Sequence, residues 1–202
     1  MGNNPSWYKG SSNPPDGGEE QGKRPVENID WYKAISFCND LSKACGLEPC
    51  YTEIDSEENI AVCDLNKNGF RLPTEAEWEW AAMGGKDYKW AGTDSESELG
   101  NYAWYKSNSN EKTHQVKMKS PNGYGLYDMS GNVFEWCWDL YGSLSDVLPL
   151  DYTGAASGSK RVERGGFYDN SSSTSHIQRA YRAYDKPDLF INAIGLRVVC
   201  RP

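Results

Sequence analysis

The side chains best suited to covalent or redox chemistry in this chain are its six cysteines, Cys38, Cys45, Cys50, Cys63, Cys137 and Cys200. A thiolate is a strong nucleophile and a soft metal ligand. No two of these cysteines have the CxxC spacing typical of a zinc site. Their even number allows three disulfides and equally allows none. Because Cys38 and Cys45 fall on one face of a predicted helix, we expect both to be buried, small apolar side chains.

The chain contains two histidines, His114 and His176, which lie far apart in the sequence. A metal site requires several ligands at a defined spacing, and these two residues alone do not form such a pattern. Each histidine is therefore interpreted as an ordinary loop residue.

Charge and hydropathy exclude several classes of protein. The net charge is −8, whereas a nucleic-acid-binding surface would require clustered lysines and arginines. No apolar run is long enough to span a membrane, and no signal peptide is visible. The 13% aromatic content can fill a core despite the low hydropathy, while 20 glycines and 10 prolines favour many turns. These features predict a loop-rich α+β domain.

Two helices must position the candidate groups. Apolar residues recur at helical spacing between residues 31 and 45, with Asp30 able to cap the start and Gly46 able to end the helix, so a helix is predicted over about 30–45. Thr74 and Glu77 form a capping-box pattern, which predicts a second helix over about 75–83.

The rest of the chain lacks helical periodicity. Short apolar stretches alternate with turn residues and predict short strands and irregular coil. They comprise residues 88–90, 102–104, 116–118, 133–138, 161–164 and 194–200. No internal repeat or second domain is evident.

Three longer motifs occur in a fixed order. Residues 71–82 read RLPTEAEWEWAA, residues 122–136 read NGYGLYDMSGNVFEW, and RVERGG at 161–166 precedes GLRVV at 195–199. Together with residues 25–34, these motifs resemble the formylglycine-generating enzymes, also called sulfatase-modifying factors. The resemblance covers the chain nearly end to end.

This resemblance implies one domain over residues 1–202, with a C-type lectin fold of the formylglycine-generating-enzyme type. The expected fold class is α+β, loop-rich, with two helices and short antiparallel strands. The family's early strands would lie upstream of residue 1. The chain would then be a fragment of a longer protein, whose upstream part would hold any signal or lipid anchor.

Catalysis is not expected, because the family's enzymes use two thiols in the segment just after the Gly-Gly pair. Residues 167–179 of this chain contain no cysteine, and Asn170 falls about where the first thiol would lie. A serine hydroxyl neither ionises at neutral pH nor binds copper well. We therefore predict no catalytic residues and no copper.

Residues 167–193 depart most from the family's pattern, although the borders of this segment retain it. In this respect the chain resembles the variable proteins of diversity-generating retroelements, whose varied side chains form an exposed binding face. Tyrosine and phenylalanine provide contact area, and serine and asparagine provide adaptable hydrogen bonds. The predicted variable, ligand-binding residues are Phe167, Tyr168, Asp169, Asn170, Ser172, Ser173, Ser175, His176, Tyr184, Asp185, Leu189, Phe190, Asn192 and Ala193.

The family's enzymes also bind structural calcium near the segment 130–135. By resemblance, the candidate ligands are Ser130, Gly131, Val133 and Glu135, since backbone carbonyls and a carboxylate are suitable hard oxygen ligands. The alternative is that Glu135 pairs with an arginine or caps a turn.

The resemblance thus predicts a diversified receptor-like or adhesin-like protein, located at the cell surface or outside the cell, that binds a protein or glycan ligand. One alternative is an inactive or atypical sulfatase-maturase-family protein acting on a protein substrate. Another is a structural accessory domain without a ligand.

Overall fold

In the part of the chain that the structure describes, long irregular segments connect two α-helices and six short β-strands. The computed structural model describes residues 3–58, 60–145, 152–169 and 174–201. The elements are α1 (Trp31–Ala44), β1 (Tyr51–Asp55), β2 (Ile60–Cys63), α2 (Glu75–Met83), β3 (Phe134–Leu140), β4 (Arg161–Arg164), β5 (Ala183–Asp185) and β6 (Ile194–Leu196). Short 3-10 helices occur at Gln21–Lys23, Glu96–Asn101 and Thr174–Ile177. This loop-rich α+β arrangement confirms the predicted fold class.

Both α-helices begin at the predicted caps. The Asp30 carboxylate accepts a hydrogen bond from the Lys33 amide at 2.7 Å. At α2, the Thr74 hydroxyl accepts from the Glu77 amide at 3.2 Å, and the Glu77 carboxylate accepts from the Thr74 amide at 2.9 Å. Gly84, at φ +59°, ends α2 in the left-handed conformation that glycine adopts most readily.

The main sheet has the strand order β5-β4-β3-β6. β3 pairs antiparallel with β4, and β4 pairs antiparallel with β5. β6 instead runs parallel to β3, so the prediction of antiparallel strands is wrong for this pair. The reason is that the chain after β5 crosses the start of α1, where the Trp31 amide donates to the Pro187 carbonyl, and reaches the far edge of the sheet.

A second, two-stranded sheet pairs β1 with β2 antiparallel and was not predicted. Conversely, residues 88–90, 102–104 and 116–118 form no strand in the described structure. Of these stretches, Trp90 and Trp104 make only isolated bridges, to Thr93 and Gly131. The strand predicted over 194–200 ends at Leu196.

The two α-helices cover opposite faces of the main sheet. On the α1 side, Trp31, Ile35 and Trp136 belong to one buried cluster. On the α2 side, Trp78 and Val162 belong to another. The indole of Trp31 donates to a β3 carbonyl at 2.9 Å, which locks α1 to the sheet. No helix in the described part of the chain combines the length and the apolar composition that crossing a membrane requires.

All six cysteines lie in described ranges and are free thiols. Cys38 is buried as expected, but Cys45 is exposed because it lies at the C-terminal cap of α1. The prediction that both are buried is therefore wrong for Cys45.

Candidate functional site

The candidate binding segment, residues 167–193, starts from a tightly constrained glycine pair. Gly165 has φ +95°, and its carbonyl accepts from the Gly131 amide at 2.8 Å. A Cβ on Gly165 would lie 3.1 Å from the Trp78 ring. Glycine is required here because the backbone is left-handed and passes close to α2. The segment therefore leaves β4 in a fixed direction.

A buried arginine ties this exit point to the middle of the segment. Arg164 is fully buried, and its guanidinium donates to the Tyr181 carbonyl at 2.6 Å. The same group forms an ion pair with Glu79 of α2. One side chain thus holds β4, α2 and residue 181 together.

Two further arginines anchor the segment to α2. Arg179 pairs with Glu79 at 2.8 Å and with Asp87. Arg182 makes a two-pronged contact with Glu75, at 2.6 and 2.7 Å, and this hydrogen bonding raises the pKa of the Arg182 guanidinium. Paired contacts of this kind are among the strongest polar interactions available to arginine. The backbone at 179–182 is therefore held by the carboxylates of one helix.

The predicted variable residues differ widely in exposure. Tyr184 and Phe190 are exposed, whereas Tyr168 and Ala193 are buried. The intermediate group consists of Phe167, Asp169, Ser175, His176, Asp185, Leu189 and Asn192. Asn170, Ser172 and Ser173 lie outside the described residues.

Part of this set gathers at one edge of the α1-side core. Phe167 and Leu189 both pack against that core while remaining partly accessible. Phe167 lies 5.6 Å from Phe134, and the His176 ring lies 4.8 Å from Tyr181 between ring centroids. Tyr181, which was not among the predicted residues, therefore belongs to the same neighbourhood.

Tyr168 and Ala193 are framework residues. The Tyr168 hydroxyl accepts from the Tyr8 hydroxyl at 3.0 Å, and burial raises its pKa. The Ala193 carbonyl accepts from the Phe134 amide at 2.8 Å, at the start of β3. Since both side chains are 4% exposed, neither offers contact area to a ligand, which corrects the expectation that they lie on the exposed face.

Tyr184 lies apart from this neighbourhood. Its β5 register places it opposite Val162, on the α2 side of the sheet, where it contacts Tyr141 at 4.1 Å and the Lys160 ammonium at 4.0 Å. Phe190 is instead near Lys33 of α1, at 5.4 Å. The structure therefore does not bring all predicted residues onto one surface. We give the name variable-segment surface to the accessible residues of the predicted set that lie outside β5, which are Phe167, Asp169, Ser175, His176, Leu189, Phe190 and Asn192.

Four of the six thiols lie in surroundings that lower their reactivity as nucleophiles. Burial raises the pKa of Cys38 to about 12 and that of Cys63 to about 12. Burial likewise raises the pKa values of Cys50 and Cys137. A protonated, buried thiol is a poor nucleophile.

The predicted calcium segment contains a strong internal ion pair. Both oxygens of Glu135 accept from Arg197, at 2.9 and 2.8 Å, and one also accepts from the Trp78 indole at 2.7 Å. The Ser130 hydroxyl accepts from the Ala91 amide at 3.1 Å. The structure thus shows the arginine pairing that was the alternative to calcium, and calcium binding stays a prediction.

A second carboxylate beside Glu135 was missed. Asp128 is buried, and its Oδ1 has no hydrogen-bond partner among the described residues. Burial, reinforced by the charge of Glu135, raises the pKa of Asp128. Both carboxylates line a cleft of about 340 Å³, together with Val133 and Arg197. An unpartnered oxygen beside a second carboxylate fits a hard cation, and Asp128 suits this role better than Ser130.

Comparison with known families defines the class of protein. The model for the sulfatase-modifying factor enzyme 1-like domain matches residues 3–202. The chain therefore belongs to this family, which confirms the resemblance inferred from its motifs.

Among solved structures, the chain is similar to Treponema denticola variable protein 1. The two are 50% identical and superpose with a TM-score of 0.93, over 100% of this chain and 79% of that protein. The chain is also 33% identical to the chaperone protein LppX of Paenibacillus barcinonensis, over 88% of this chain and 66% of that protein. It is 33% identical to the formylglycine-generating enzyme of Thermomonospora curvata, over 71% of this chain and 54% of the enzyme. The chain thus spans less than two thirds of the length of these two relatives.

Proposed function

We propose that this chain is a non-enzymatic binding protein that presents diversified side chains from residues 167–193 on a scaffold of the formylglycine-generating-enzyme type. The observation that carries the proposal is that the residues anchoring the segment differ from the residues predicted to vary. Its anchors, Arg179 and Arg182, lie outside the predicted variable set and are held by Glu79 and Glu75. The side chains on either side of the anchors, within 167–176 and 184–193, can therefore change without removing these arginine contacts.

The composition of the variable-segment surface suits recognition. Phe167, Leu189 and Phe190 provide apolar contact area, whereas Asp169, Ser175 and Asn192 provide hydrogen-bonding groups around it. Rigid aromatic groups with small adaptable polar neighbours are typical of paratopes that bind protein or glycan epitopes. We therefore propose a protein or glycan ligand.

The similarity to Treponema denticola variable protein 1 supports the same function, since its name describes a protein that varies. We further propose that the protein acts at the cell surface or outside the cell. A lipid anchor would then be supplied by sequence upstream of this chain.

The alternative function is an atypical sulfatase maturase acting on a protein substrate. Similarity to the Thermomonospora curvata enzyme favours it at the level of family. The chemistry disfavours it, because residues 167–179 contain no cysteine and the thiols of Cys38, Cys63 and Cys137 have raised pKa values.

Two matched libraries test the proposal. The first randomises five surface positions, Asp169, Ser175, His176, Leu189 and Asn192. The second randomises five anchoring positions, Glu75, Glu79, Arg164, Arg179 and Arg182. The measurement is the fraction of protease-resistant members of each library displayed on cells. We expect most of the first library and little of the second to remain folded. Equal loss of folding in both would contradict the proposal.

A further inference from the structure

A compact group of three potential metal ligands lies outside the variable segment and outside the Asp128–Glu135 cleft. The atoms Asp16 Oδ2, Glu19 Oε1 and His114 Nδ1 come from two distant parts of the chain, and one ligand atom of each residue lies within 4.8 Å of the others. His114 is 1% exposed and the Glu19 side chain 5% exposed, whereas the Asp16 side chain is 37% exposed. The group is therefore buried on one side and open to solvent through Asp16.

Hydrogen bonding fixes how the His114 ring presents its two nitrogens. Nε2 lies 2.7 Å from the Ser109 carbonyl oxygen, which can only accept, so Nε2 carries a hydrogen. Nδ1 then faces Glu19 Oε1 at 2.7 Å and Asp16 Oδ2 at 3.8 Å. A ring nitrogen and two carboxylate oxygens repel one another unless a positive species lies among them. Either a proton or a metal ion fulfils this condition.

Neighbouring groups contact the parts of Asp16, Glu19 and His114 that face away from the proposed site. Glu19 Oε2 accepts from the Gln115 amide at 3.2 Å, and Asp16 Oδ1 pairs with the Lys112 ammonium. The His114 ring stacks on Trp104 at 3.8 Å between centroids. Metal-binding histidines characteristically donate their second ring nitrogen to a carbonyl or carboxylate, and metal-binding carboxylates are themselves hydrogen-bonded. The arrangement around this group has both features.

We propose that Asp16, Glu19 and His114 form a site for a divalent transition metal, with zinc as the best match. One imidazole nitrogen and two carboxylate oxygens are a suitable ligand set, and the open side near Asp16 leaves a fourth position for water. Bond lengths of about 2.0 Å place tetrahedral ligands about 3.3 Å apart. The Nδ1–Glu19 distance of 2.7 Å would lengthen by about 0.6 Å, and the Nδ1–Asp16 distance of 3.8 Å would shorten by about 0.5 Å. Both kinds of ligand bind the ion in their deprotonated form.

This site would stabilise the loop that supports the variable segment. The Ser109 hydroxyl donates to the Tyr168 carbonyl at 2.7 Å, and Lys106 pairs with Asp169 at 2.5 Å. The ion would link residues 16–19 to this same loop, behind the start of the segment. It would act through this loop, and it is independent of which ligand the variable-segment surface binds.

The test uses untagged protein stripped of metal and kept in excess calcium, so that any calcium site is filled. Zinc chloride is titrated by calorimetry, and cobalt(II) binding is followed by visible absorption. We expect one zinc ion per chain, with affinity at least tenfold weaker in His114→Gln and in Asp16→Asn. His176→Gln is the matched control, since it removes the chain's other histidine, and its zinc affinity should be unchanged.

Asp16→Asn decides the question if His114→Gln fails to fold, because Asp16 is partly accessible and His114 is fully buried. The inference is overturned if the wild-type protein shows no one-to-one zinc binding. It is also overturned if Asp16→Asn binds zinc as tightly as the wild type, or if affinity depends on His176.

Discussion

At the scale of single residues, the main sheet buries acidic groups that most proteins keep in water. Glu163 is 3% exposed and lies opposite Trp136 on the α1 side. Burial, with a smaller contribution from the charge of Asp185, raises the pKa of Glu163 to about 8. Burial also raises the pKa of Asp139 to about 7. At pH 7, Glu163 is therefore mostly neutral and Asp139 is about half ionised.

Stability should consequently fall as pH rises. An unfolded glutamate has a pKa of about 4.3, so the folded state binds an extra proton between that value and about 8. The stabilising contribution is complete below the unfolded pKa and is lost as pH rises through the folded pKa. Each such group contributes a slope of up to about 1.4 kcal/mol per pH unit.

The measurement is the free energy of unfolding in urea from pH 5 to pH 8, for the wild type and Glu163→Gln. The variant mimics the neutral acid, so its stability should fall less steeply than that of the wild type. Glu57→Gln, an exposed position, is the control and should keep the wild-type slope. Identical slopes in all three proteins would show that Glu163 is not neutral in the folded state.

Asp128 provides a second prediction at this scale. Its Oδ1 has no hydrogen-bond partner among the described residues, and the residue lines the same cleft as Glu135. Adding calcium to chelator-treated protein should raise the melting temperature of the wild type, because a ligand that binds the folded state stabilises it. Asp128→Asn should lose most of the increase, while Asp64→Asn, in an exposed turn, should keep it. A melting temperature that does not respond to calcium would argue for the Glu135–Arg197 pair alone.

At the scale of elements, α2 is both a core helix and the support of the variable segment. Trp78 on one face of α2 packs against the sheet, whereas Glu75 and Glu79 bind arginines of the segment. Glu75 is 5% exposed, and its carboxylate pairs with Arg182 at 2.6 Å. The helix therefore couples the stability of the scaffold to the position of the segment.

Arg182→Ala should destabilise the protein by about 3 kcal/mol, because it removes the main partner of a buried carboxylate. Arg164 lies 3.5 Å from Glu75 and would compensate only in part. Urea denaturation measures the change. Lys186→Ala, an exposed position in the same segment, should change stability by less than about 0.5 kcal/mol. A loss for Arg182→Ala no larger than that for Lys186→Ala would contradict the anchoring role.

Local signals explain which elements the sequence predicts. Both helices were predicted within a residue of their ends, since Asp30 and the Thr74–Glu77 box act within one helical turn. β1 and β2 were missed because their side chains are mostly accessible and lack a clear apolar alternation. The sequence predicts a strand around Trp90. The structure instead has irregular coil there, and the buried Trp90 indole donates a hydrogen bond to the carbonyl of Thr174, far along the chain.

In the candidate sites too, features set by neighbouring residues can be read from the sequence, whereas features set by contacts between distant residues cannot. The limits proposed for the variable segment rest on local motifs, because the Gly-Gly pair and the final GLRVV motif bound it in sequence, and they stay a prediction. The burial of Tyr168 could not be predicted, since it depends on Tyr8, 160 residues away. The group of Asp16, Glu19 and His114 was missed for the same reason, as its two parts meet only in the folded chain.

At the scale of the whole molecule, the proposed function requires a constant scaffold and a changeable surface. The sheet and both helices form a fold similar to that of Treponema denticola variable protein 1. Among the side chains of the variable-segment surface, Phe167 and Leu189 pack against the edge of the core, whereas none of the seven contributes to the arginine anchors. The central claim is that variation in nature is confined to this part of the molecule.

The most direct test is to sequence many copies of the gene, with flanking DNA, from related isolates. The account predicts substitutions concentrated at positions such as Phe167, Asp169, His176, Leu189 and Asn192, beside a near-identical repeat with asparagine codons at those places. Arg164, Arg179 and Arg182 should be invariant. An unchanging segment without a nearby repeat, or differences spread evenly along the chain, would contradict the account and favour an inactive member of the family.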